Sequence, residues 1–213
     1  MMVFLHGGGW VTGSPQRFDP IADILATQRI ASLSIEYRVR QRHQSTVYDS
    51  LADTLAAIPT VKALSYGLPL CIAGGSAGGL LAVHLARALR STTGPAPAGL
   101  ILLNPMLDLS ANGTRTAASP AGGDPAISPL HMDTTTLPPT LILHGDADQL
   151  VPLDTSREFT AKLNANGQTA RIGVVPSAGH GFFNATQYRD AVAHHIADFV
   201  LEMTQGAIAS RAA

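Results

Sequence analysis

One serine of the sequence lies in a pattern that could activate its hydroxyl for attack on a carbonyl carbon. Ser76 is the centre of the glycine-rich residues 74–78, which follow an apolar run at Leu70 to Ala73 and precede a helical pattern at Leu80 to Arg90. A serine on a sharp turn between a strand and a helix needs small neighbours, because its backbone is strained and the helix approaches the strand closely. The unpaired amides at the start of that helix also favour negative charge. The pattern predicts Ser76 as a nucleophile, and a plain glycine turn is the alternative.

A second glycine-rich stretch could stabilise the oxyanion that forms when a carbonyl group is attacked. His6 closes the first predicted strand and is followed by three glycines and Trp10. Consecutive glycines leave their amides unshielded, so these amides and the amide of Ala77 could together form an oxyanion hole. We expect His6 to pin this loop by hydrogen bonds rather than to act as a base. A flexible glycine loop is the alternative.

A serine hydroxyl needs a general base, and eight histidines compete for this role. His180 lies in the segment Ser177 to Phe182, directly after the last predicted strand, so a loop could carry its imidazole over Ser76. The other histidines are expected to be structural, because they fall in helices, in polar stretches or at strand ends. They are His6, His43, His84, His131, His144, His194 and His195.

The base must in turn be held by an acid, and the segment from His144 to Pro152 offers two aspartates after the penultimate strand. Asp148 is the preferred acid, because a residue a few positions beyond the strand end can lean towards the histidine loop. Asp146 is expected to accept hydrogen bonds from backbone amides in the turn. Asp108, which follows the strand that ends in Asn104, is the reserve acid.

These side chains need elements that bring them together, and the apolar pattern predicts an α/β fold. Short apolar runs alternate with helix-length amphipathic stretches, which is typical of a mostly parallel central sheet with helices on both faces. We expect six strands, at Met2 to His6, Ile30 to Tyr37, Leu70 to Ala73, Gly99 to Asn104, Thr140 to His144 and Ala170 to Val175. Helices are expected at Pro20 to Gln28, Val47 to Leu64, Ala77 to Arg90, Leu153 to Asn166 and Gln187 to Met203.

Two segments do not fit this alternation. Residues 110–139 are rich in small and polar residues and in proline, so they are expected to form an excursion over the sheet or a minimal cap. Residues 206–213 are expected to be a loose tail. With 213 residues and 46% hydrophobic content the chain can bury one core, so the predicted organisation is a single catalytic domain over residues 1–213.

Composition also limits the expected partners. The formal net charge is −1 and the 14 Lys and Arg residues form no dense run, which argues against binding to nucleic acid. No apolar stretch approaches the roughly 18 residues of a membrane span, and no basic region of a signal peptide is present. The chain as given is expected to be soluble and cytoplasmic. The predicted chemistry needs no metal and no organic cofactor, and the expected partner is a small-molecule ester.

Five motifs together resemble those of the hormone-sensitive-lipase-type branch of the α/β-hydrolases, especially bacterial acetyl-esterase-like enzymes. The resemblance covers nearly the whole chain, in order. The motifs are His6 to Trp10, Glu36 to Arg38, Gly74 to Gly79, His144 to Pro152 and Gly179 to Phe182.

The resemblance implies an α/β-hydrolase fold in which Ser76, Asp148 and His180 form the triad, in the chain order that this fold uses. It also implies that the amides of Gly8, Gly9 and Ala77 form the oxyanion hole. Some members of the branch act on carbohydrate esters, so acetylated carbohydrates are among the expected substrates.

The sequence departs from this family in one respect. Members resemble each other in having two further strands, and often a helical cap, before the glycine loop, whereas here the loop begins at residue 6. Either the chain is a minimal six-strand version with a small or absent cap, which predicts an open cleft, or N-terminal strands are missing. The second alternative predicts an exposed sheet edge that needs a partner chain, as in a homodimer.

The sequence thus predicts a serine carboxylesterase for short acyl groups, from acetyl to butyryl. Residues 110–139 lack a long apolar helix that could cover a fatty chain, and aromatic residues make up only 5% of the chain. Candidate residues of the pocket wall, each of which could equally pack in the core, are Trp10, Met106, Leu150, Phe182 and Phe183. Two alternatives stay open, namely an amide hydrolase of the arylformamidase or peptidase type with the same triad, and a catalytically inactive binding protein of the same fold.

Overall fold

Six parallel strands form the centre of the molecule in the computed structural model, which describes residues 1–93, 96–110 and 124–209, with side chains up to residue 205. The strands are β1 (Met2–Leu5), β2 (Ser32–Ile35), β3 (Cys71–Gly75), β4 (Gly99–Leu103), β5 (Thr140–Gly145) and β6 (Ala170–Val175). The helices within the described ranges are α1 (Asp19–Thr27), α2 (Arg40–His43), α3 (Val47–Ala56), α4 (Ile58–Ser65), α5 (Ala77–Arg90), α6 (Leu153–Ala165) and α7 (Thr186–Ala209). Short 3₁₀ turns lie at Pro15–Phe18, Pro125–Ile127 and Phe182–Asn184.

The strand order is β2-β1-β3-β4-β5-β6, and each neighbouring pair is parallel. The register sets Gly75 beside Leu103, and Leu103 beside Leu143. The loops that leave β3, β4 and β5 therefore start at the same edge of the sheet. In open α/β sheets this carboxyl edge is where ligands bind.

Helices cover both faces of the sheet, because alternate residues of each strand point to opposite sides. Met2 and Phe4 pack on one side of β1, while Val3 and Leu5 pack on the other. Helices α1 and α7 bury their apolar residues on the first side, and α3, α4, α5 and α6 do so on the second. The prediction of a mostly parallel sheet between two helical layers is confirmed.

The helices differ from the prediction in three places. The helix expected over Val47 to Leu64 is two helices that meet at Ala57, because Pro59 stands in the first turn of α4 and proline cannot continue a helix. The short helix α2 was not expected. Helix α7 continues to Ala209 and so includes the first part of the predicted loose tail, whereas residues 210–213 lie outside the described residues. Within the described ranges, no helix combines the length and the apolar character needed to span a membrane.

Part of the predicted excursion lies outside the described residues, namely residues 111–123. The part that follows returns to the core, where Leu130 and Leu137 are buried. The Nζ atom of Lys162 on α6 donates hydrogen bonds to the carbonyl oxygens of Leu130 (2.8 Å) and Met132 (2.6 Å). The segment that leads into β5 is thus fastened to α6.

Candidate active site

Ser76 stands on a strained turn between β3 and α5. Its φ of 52° and ψ of −119° lie outside the regions that non-glycine residues favour. The turn is anchored to its neighbours, because the Ser76 amide donates to the carbonyl oxygen of Leu103 (2.9 Å) and the Ser76 carbonyl accepts from the amides of Gly79 (2.8 Å) and Met106 (2.9 Å). Such strain persists only where the surrounding structure enforces it, and it is found mostly at functional sites.

The close approach of β3 and α5 requires a glycine at position 74. A Cβ atom at Gly74 would lie 2.1 Å from the carbonyl oxygen of Gly78 in the first turn of α5. This distance is far inside van der Waals contact, so any larger residue would push the helix away from the strand. The close approach of helix and strand thus explains why a small residue is needed beside Ser76, as the sequence predicts.

Ser76, His180 and Asp148 form one continuous chain of hydrogen bonds. The Oγ atom of Ser76 lies 2.8 Å from Nε2 of His180, and Nδ1 of His180 lies 2.8 Å from Oδ2 of Asp148. Because Nδ1 faces a carboxylate, the hydrogen of the neutral ring belongs on Nδ1. Nε2 is then free to accept the proton of the serine hydroxyl.

The Asp148 side chain is buried, and both of its oxygens are hydrogen-bonded. Oδ1 accepts from the backbone amides of Leu150 (2.8 Å) and Val151 (3.0 Å), in the turn that follows β5. Oδ2 accepts from Nδ2 of Asn104 (2.6 Å) as well as from His180. The carboxylate is therefore fixed by its own turn on one side and by side chains on the other.

A second histidine lies beside the same carboxylate. Nε2 of His144, a fully buried residue of β5, is 3.4 Å from Oδ2 of Asp148 and 3.2 Å from the carbonyl oxygen of Val151. Nδ1 of His144 is 2.8 Å from Oγ of Ser156 on α6. Both neighbours of Nε2 are acceptors, so this nitrogen carries the hydrogen and Nδ1 accepts from the serine hydroxyl.

These contacts decide the charge of Asp148. Burial by itself would raise the pKa of the carboxyl, but hydrogen bonds from His144, from His180 and from the Val151 amide outweigh it. The balance holds the pKa of Asp148 well below its ordinary value. The residue is therefore an anion at neutral pH.

The loop that carries Asp148 is also bonded to the loop that carries His180. Oδ1 of Asp146 accepts the amide hydrogen of Ser177 (2.7 Å), and the amide of Ala147 donates to the carbonyl oxygen of Ala178 (3.1 Å). The sequence predicts that Asp146 accepts hydrogen bonds from amides of its own turn, whereas the amide it accepts from belongs to Ser177 in the histidine loop. It therefore links the two loops.

The glycine loop after β1 lies against the turn of Ser76. A Cβ atom at Gly7 would be 3.2 Å from the Cβ atom of Ser76. Gly8 and Gly9 have φ values of 123° and 63°, a conformation that favours glycine. The amides of Gly8, Gly9 and Ala77 donate none of the backbone hydrogen bonds found in the described loops, turns and caps. These three amides near Ser76 thus have no backbone carbonyl acceptor among those bonds.

His6 holds this loop in place through its ring and its carbonyl group. Its Nδ1 atom donates to the carbonyl oxygen of Gly7 (2.8 Å), and its ring stacks on Tyr37 with centroids 4.1 Å apart. The hydroxyl of Tyr37 donates to the carbonyl oxygen of His6 (2.5 Å). Burial lowers the pKa of His6, so the ring is neutral at neutral pH. These contacts agree with the structural role that was expected of His6.

The arrangement of strand, strained serine, acid and histidine is that of a known family, and a family model for the alpha/beta hydrolase fold matches residues 2–184. The chain belongs to the alpha/beta hydrolase fold family. The acetyl-hydrolase of Streptomyces hygroscopicus is 33% identical to it over 175 residues, which are 70% of this chain and 57% of that protein. The carboxylic ester hydrolase LipN of Mycobacterium tuberculosis is 28% identical over 221 residues, which are 88% of this chain and 58% of LipN.

Solved structures of the alpha/beta hydrolase fold agree with this assignment. A thermophilic esterase of the Planctomycetes species Thermogutta terrifontis superposes with a TM-score of 0.78 at 32% identity, covering 94% of this chain and 80% of the esterase. An esterase of Pyrobaculum calidifontis has a TM-score of 0.81 at 24% identity, covering 95% of this chain and 76% of that chain, and this likeness concerns the fold alone. The chain spans less than two thirds of the two curated relatives and about four fifths of the Thermogutta esterase.

Other candidate residues of this alpha/beta hydrolase lie apart from the chain of Ser76, His180 and Asp148. Asp108, the reserve acid, accepts hydrogen bonds from the amide and hydroxyl of Ser110 and lies 3.1 Å from Nε2 of His131. Asp108 therefore has its own local partners and is not brought to His180.

Among the described side chains, no group of three or more histidines, cysteines and acidic residues could hold a metal ion.

The predicted pocket residues of this alpha/beta hydrolase separate into two groups. Trp10, Phe182 and Phe183 are at most 3% exposed and belong to the hydrophobic cores on the two faces of the sheet. Packing between helices and sheet covers their rings, which fits the core role that the sequence left open, and their place in a pocket wall stays a prediction. Met106 lies next to Ser76 through its amide, and Leu150, 43% exposed, follows Asp148 in the same turn.

Two residues at the site were not singled out by the sequence. Asn104 was seen only as the end of a strand, and His144 only as a structural histidine. Both stand at the carboxyl ends of strands, β4 and β5, that border the strands leading to Ser76 and His180. Position at that edge was the available signal, because polar side chains there converge on one site.

Proposed function

We propose that this chain carries the catalytic centre of a serine carboxylesterase that cleaves short-chain acyl esters through an acyl-enzyme on Ser76. The observation that carries the proposal is the unbroken hydrogen-bonded chain from Oγ of Ser76 through His180 to Asp148, with 2.8 Å at both links. Nucleophile, base and orienting acid are the parts that acyl transfer requires.

In the first step, Oγ of Ser76 attacks the ester carbonyl carbon while Nε2 of His180 takes the hydroxyl proton. Asp148, held as an anion, stabilises the imidazolium through Nδ1. The tetrahedral intermediate then collapses. The bond to the alcohol breaks, the alcohol oxygen receives the proton from His180, and the acyl group stays on Ser76.

In the second step, water attacks the acyl-enzyme and His180 takes the proton of that water. The bond between the acyl carbon and Oγ breaks, Ser76 recovers its proton, and the carboxylic acid leaves. In both steps the carbonyl oxygen carries negative charge, and the amides of Gly8, Gly9 and Ala77 are available to bind it. One such donor typically contributes on the order of 3 kcal/mol to the stabilisation of the transition state.

Support for short acyl groups comes from two sides. Relatives of this chain include an acetyl-hydrolase, and the Thermogutta esterase is known with propionate and with butyrate bound. Within the described residues, Met106 and Leu150 of the predicted pocket contact Ser76 and Asp148 through their backbone amides, and their side chains are not fully buried. Acetylated carbohydrates are one class of ester to be tested.

The proposal is tested by hydrolysis of p-nitrophenyl acetate, butyrate and decanoate, and of p-nitroacetanilide, by the wild type, by Ser76→Ala and by Ser65→Ala. Ser65 is the matched control, because its hydroxyl bonds to Lys62 within α4. We expect turnover that favours the acetate and butyrate, no turnover by Ser76→Ala, and wild-type rates for Ser65→Ala, with equal circular dichroism for all three. Full activity of a folded Ser76→Ala, or preference for an anilide such as p-nitroacetanilide, would contradict the proposal.

A further inference from the structure

Asn104 is a buried polar residue that touches the acid of the site from the neighbouring strand. It follows β4 directly, has no exposed surface, and donates from Nδ2 to Oδ2 of Asp148 at 2.6 Å. Its backbone amide donates to the carbonyl oxygen of Leu143 on β5 (2.9 Å). A hydrogen bond to an ionised carboxylate is shorter and about twice as strong as one between neutral groups.

In two other respects Asn104 is unfavourable for stability. Its φ of 42° lies in the left-handed region, which glycine adopts without steric cost. Its Oδ1 atom is buried and has no hydrogen-bond partner among the described residues. Turning the amide over would not help, because Oδ1 would then face the carboxylate. The short bond to Asp148 is thus the described contact that fixes the orientation of this amide.

The position of this bond on the carboxylate matters. Oδ1 of Asp148 is already held by backbone amides, whereas Oδ2 is shared between Asn104 and His180. The bond from Asn104 is the shortest contact of Oδ2, so it resists rotation of the carboxylate out of line with Nδ1 of His180. His144, at 3.4 Å, is the more distant neighbour of the same oxygen.

We propose that Asn104 is a positioning residue, which holds Oδ2 of Asp148 in line with the imidazole of His180 during acyl transfer. The inference rests on the proposed function, since it acts through the acid of that site. Asn104 itself touches neither substrate nor the reacting atoms. Its contribution is to keep the base in one tautomer and one orientation while charge develops.

The decisive variant is Asn104→Gly. Glycine keeps the backbone bond to Leu143, suits the positive φ and removes the unpartnered Oδ1, but it deletes the bond to Asp148. We expect kcat for p-nitrophenyl butyrate to fall on the order of 10²-fold, the cost of a misplaced catalytic group, with KM unchanged. The melting temperature should stay within a few degrees of the wild type, so a loss of kcat cannot be attributed to unfolding.

The matched control is Arg29→Gly. Arg29 is exposed, has a φ of 60° and follows α1, before the first residue of β2 and thus away from the carboxyl edge of the sheet. This variant relieves the same backbone conformation without touching the site. We expect wild-type kcat and KM from it.

A second variant, Asn104→Asp, gives a readout that a purely structural role would not change. The new carboxyl would face Asp148, with His144 and His180 as the other titratable groups around it. Two carboxyls at this distance share one proton, so the new carboxyl at position 104 can donate to Oδ2 of Asp148 until that proton leaves. We expect the kcat profile of Asn104→Asp to gain a basic limb, with activity lost as pH rises, where the wild type shows a plateau.

The outcomes distinguish a failure of the role of Asn104 from a failure of the proposed function. An active wild type and an inactive Ser76→Ala, together with wild-type kcat in Asn104→Gly and no basic limb in Asn104→Asp, would overturn the role of Asn104 alone. A folded wild type without esterase activity would overturn the proposed function itself. A fall in kcat with constant KM in Asn104→Gly, and none in Arg29→Gly, is the result that supports the inference.

Discussion

The ring of Phe183 lies directly against the backbone of Gly75. A Cβ atom at Gly75 would be 2.5 Å from Cζ of Phe183. Gly75 is the last residue of β3, immediately before Ser76, and Phe183 belongs to the 3₁₀ turn that follows His180. The contact therefore sets the distance between the loop that carries the base and the turn that carries the serine.

This contact predicts that Gly75→Ala disables the site without unfolding the chain. The added methyl group must push Phe183 away, and a displaced histidine loop lengthens the bond between His180 and Ser76. We expect kcat to fall about 10²-fold, as for other small misplacements of catalytic groups. Steady-state hydrolysis of p-nitrophenyl butyrate measures the loss.

The double variant Gly75→Ala with Phe183→Leu checks the cause. Leucine shortens the side chain at the point of collision, so part of the lost kcat should return, and the two substitutions should be strongly non-additive. Additive losses in the double-mutant cycle would show that the contact does not set the geometry.

A second prediction concerns covalent labelling of the serine. We expect a fluorophosphonate probe to modify this chain once, at Ser76, because Nε2 of His180 lies within hydrogen-bonding distance of its hydroxyl and is placed to take the proton. Mass spectrometry of the tryptic peptide identifies the site. A label that persists in Ser76→Ala would refute it.

A third prediction follows from the lowered pKa of Asp148. A carboxyl with a lowered folded-state pKa stabilises the fold above the unfolded value of about 3.9, and this contribution is lost as pH falls towards the folded value. Asp148→Asn cannot titrate at this position. We therefore expect the difference in free energy of unfolding between wild type and Asp148→Asn to be largest near neutral pH and to shrink below about pH 5.

Urea unfolding at a series of pH values measures this difference. A gap that stays constant down to about pH 2 would contradict the assignment of a stabilised anion. The same variant should lose roughly 10⁴-fold in kcat at neutral pH, because the amide no longer holds the correct tautomer of His180.

A fourth prediction concerns the segment that leads into β5. Lys162→Met removes two hydrogen bonds from a charged donor and leaves the carbonyl oxygens of Leu130 and Met132 without this partner. We expect the free energy of unfolding to fall by about 2 kcal/mol. Arg157→Met is the control on the same helix, because the ion pair of Arg157 with Asp154 is exposed and is worth about 0.5 kcal/mol or less.

The fold was predictable from the sequence because each strand is a short apolar run bounded by glycine, proline or polar residues. All six strands were expected, and the structure orders them into one parallel sheet. The predicted helices were wrong where single residues decide the outcome. Pro59 divides a continuous apolar pattern into two helices, and the short helix α2 carries no apolar residue in its sequence Arg40 to His43.

The candidate site was predictable where a residue follows a strand within a recognisable motif. Ser76, Asp148 and His180 were named on that basis, and the structure brings them within hydrogen-bonding distance of each other. Asn104 was missed because its contact with Asp148 depends on the pairing of β4 with β5, which composition and spacing do not reveal. His144 was missed because its contacts with Asp148 and Ser156 depend on how the turn after β5 leads into α6. For Trp10 and Phe182 the sequence left two roles open, because an aromatic residue near a site motif can equally fill the core beneath it, and both residues are buried in the core clusters.

The strand order has a last consequence for how this protein would fail under heat. His180 is attached to the end of β6, which lies at one end of the strand order and pairs with β5, whereas the strand before Ser76, β3, pairs on both sides. Fraying of β6 would withdraw the imidazole of His180 while Ser76 stays in place between its two neighbouring strands. Catalysis would then fade before the far-ultraviolet signal does, so that loss of activity reports the loosening of one border strand rather than the melting of the whole molecule.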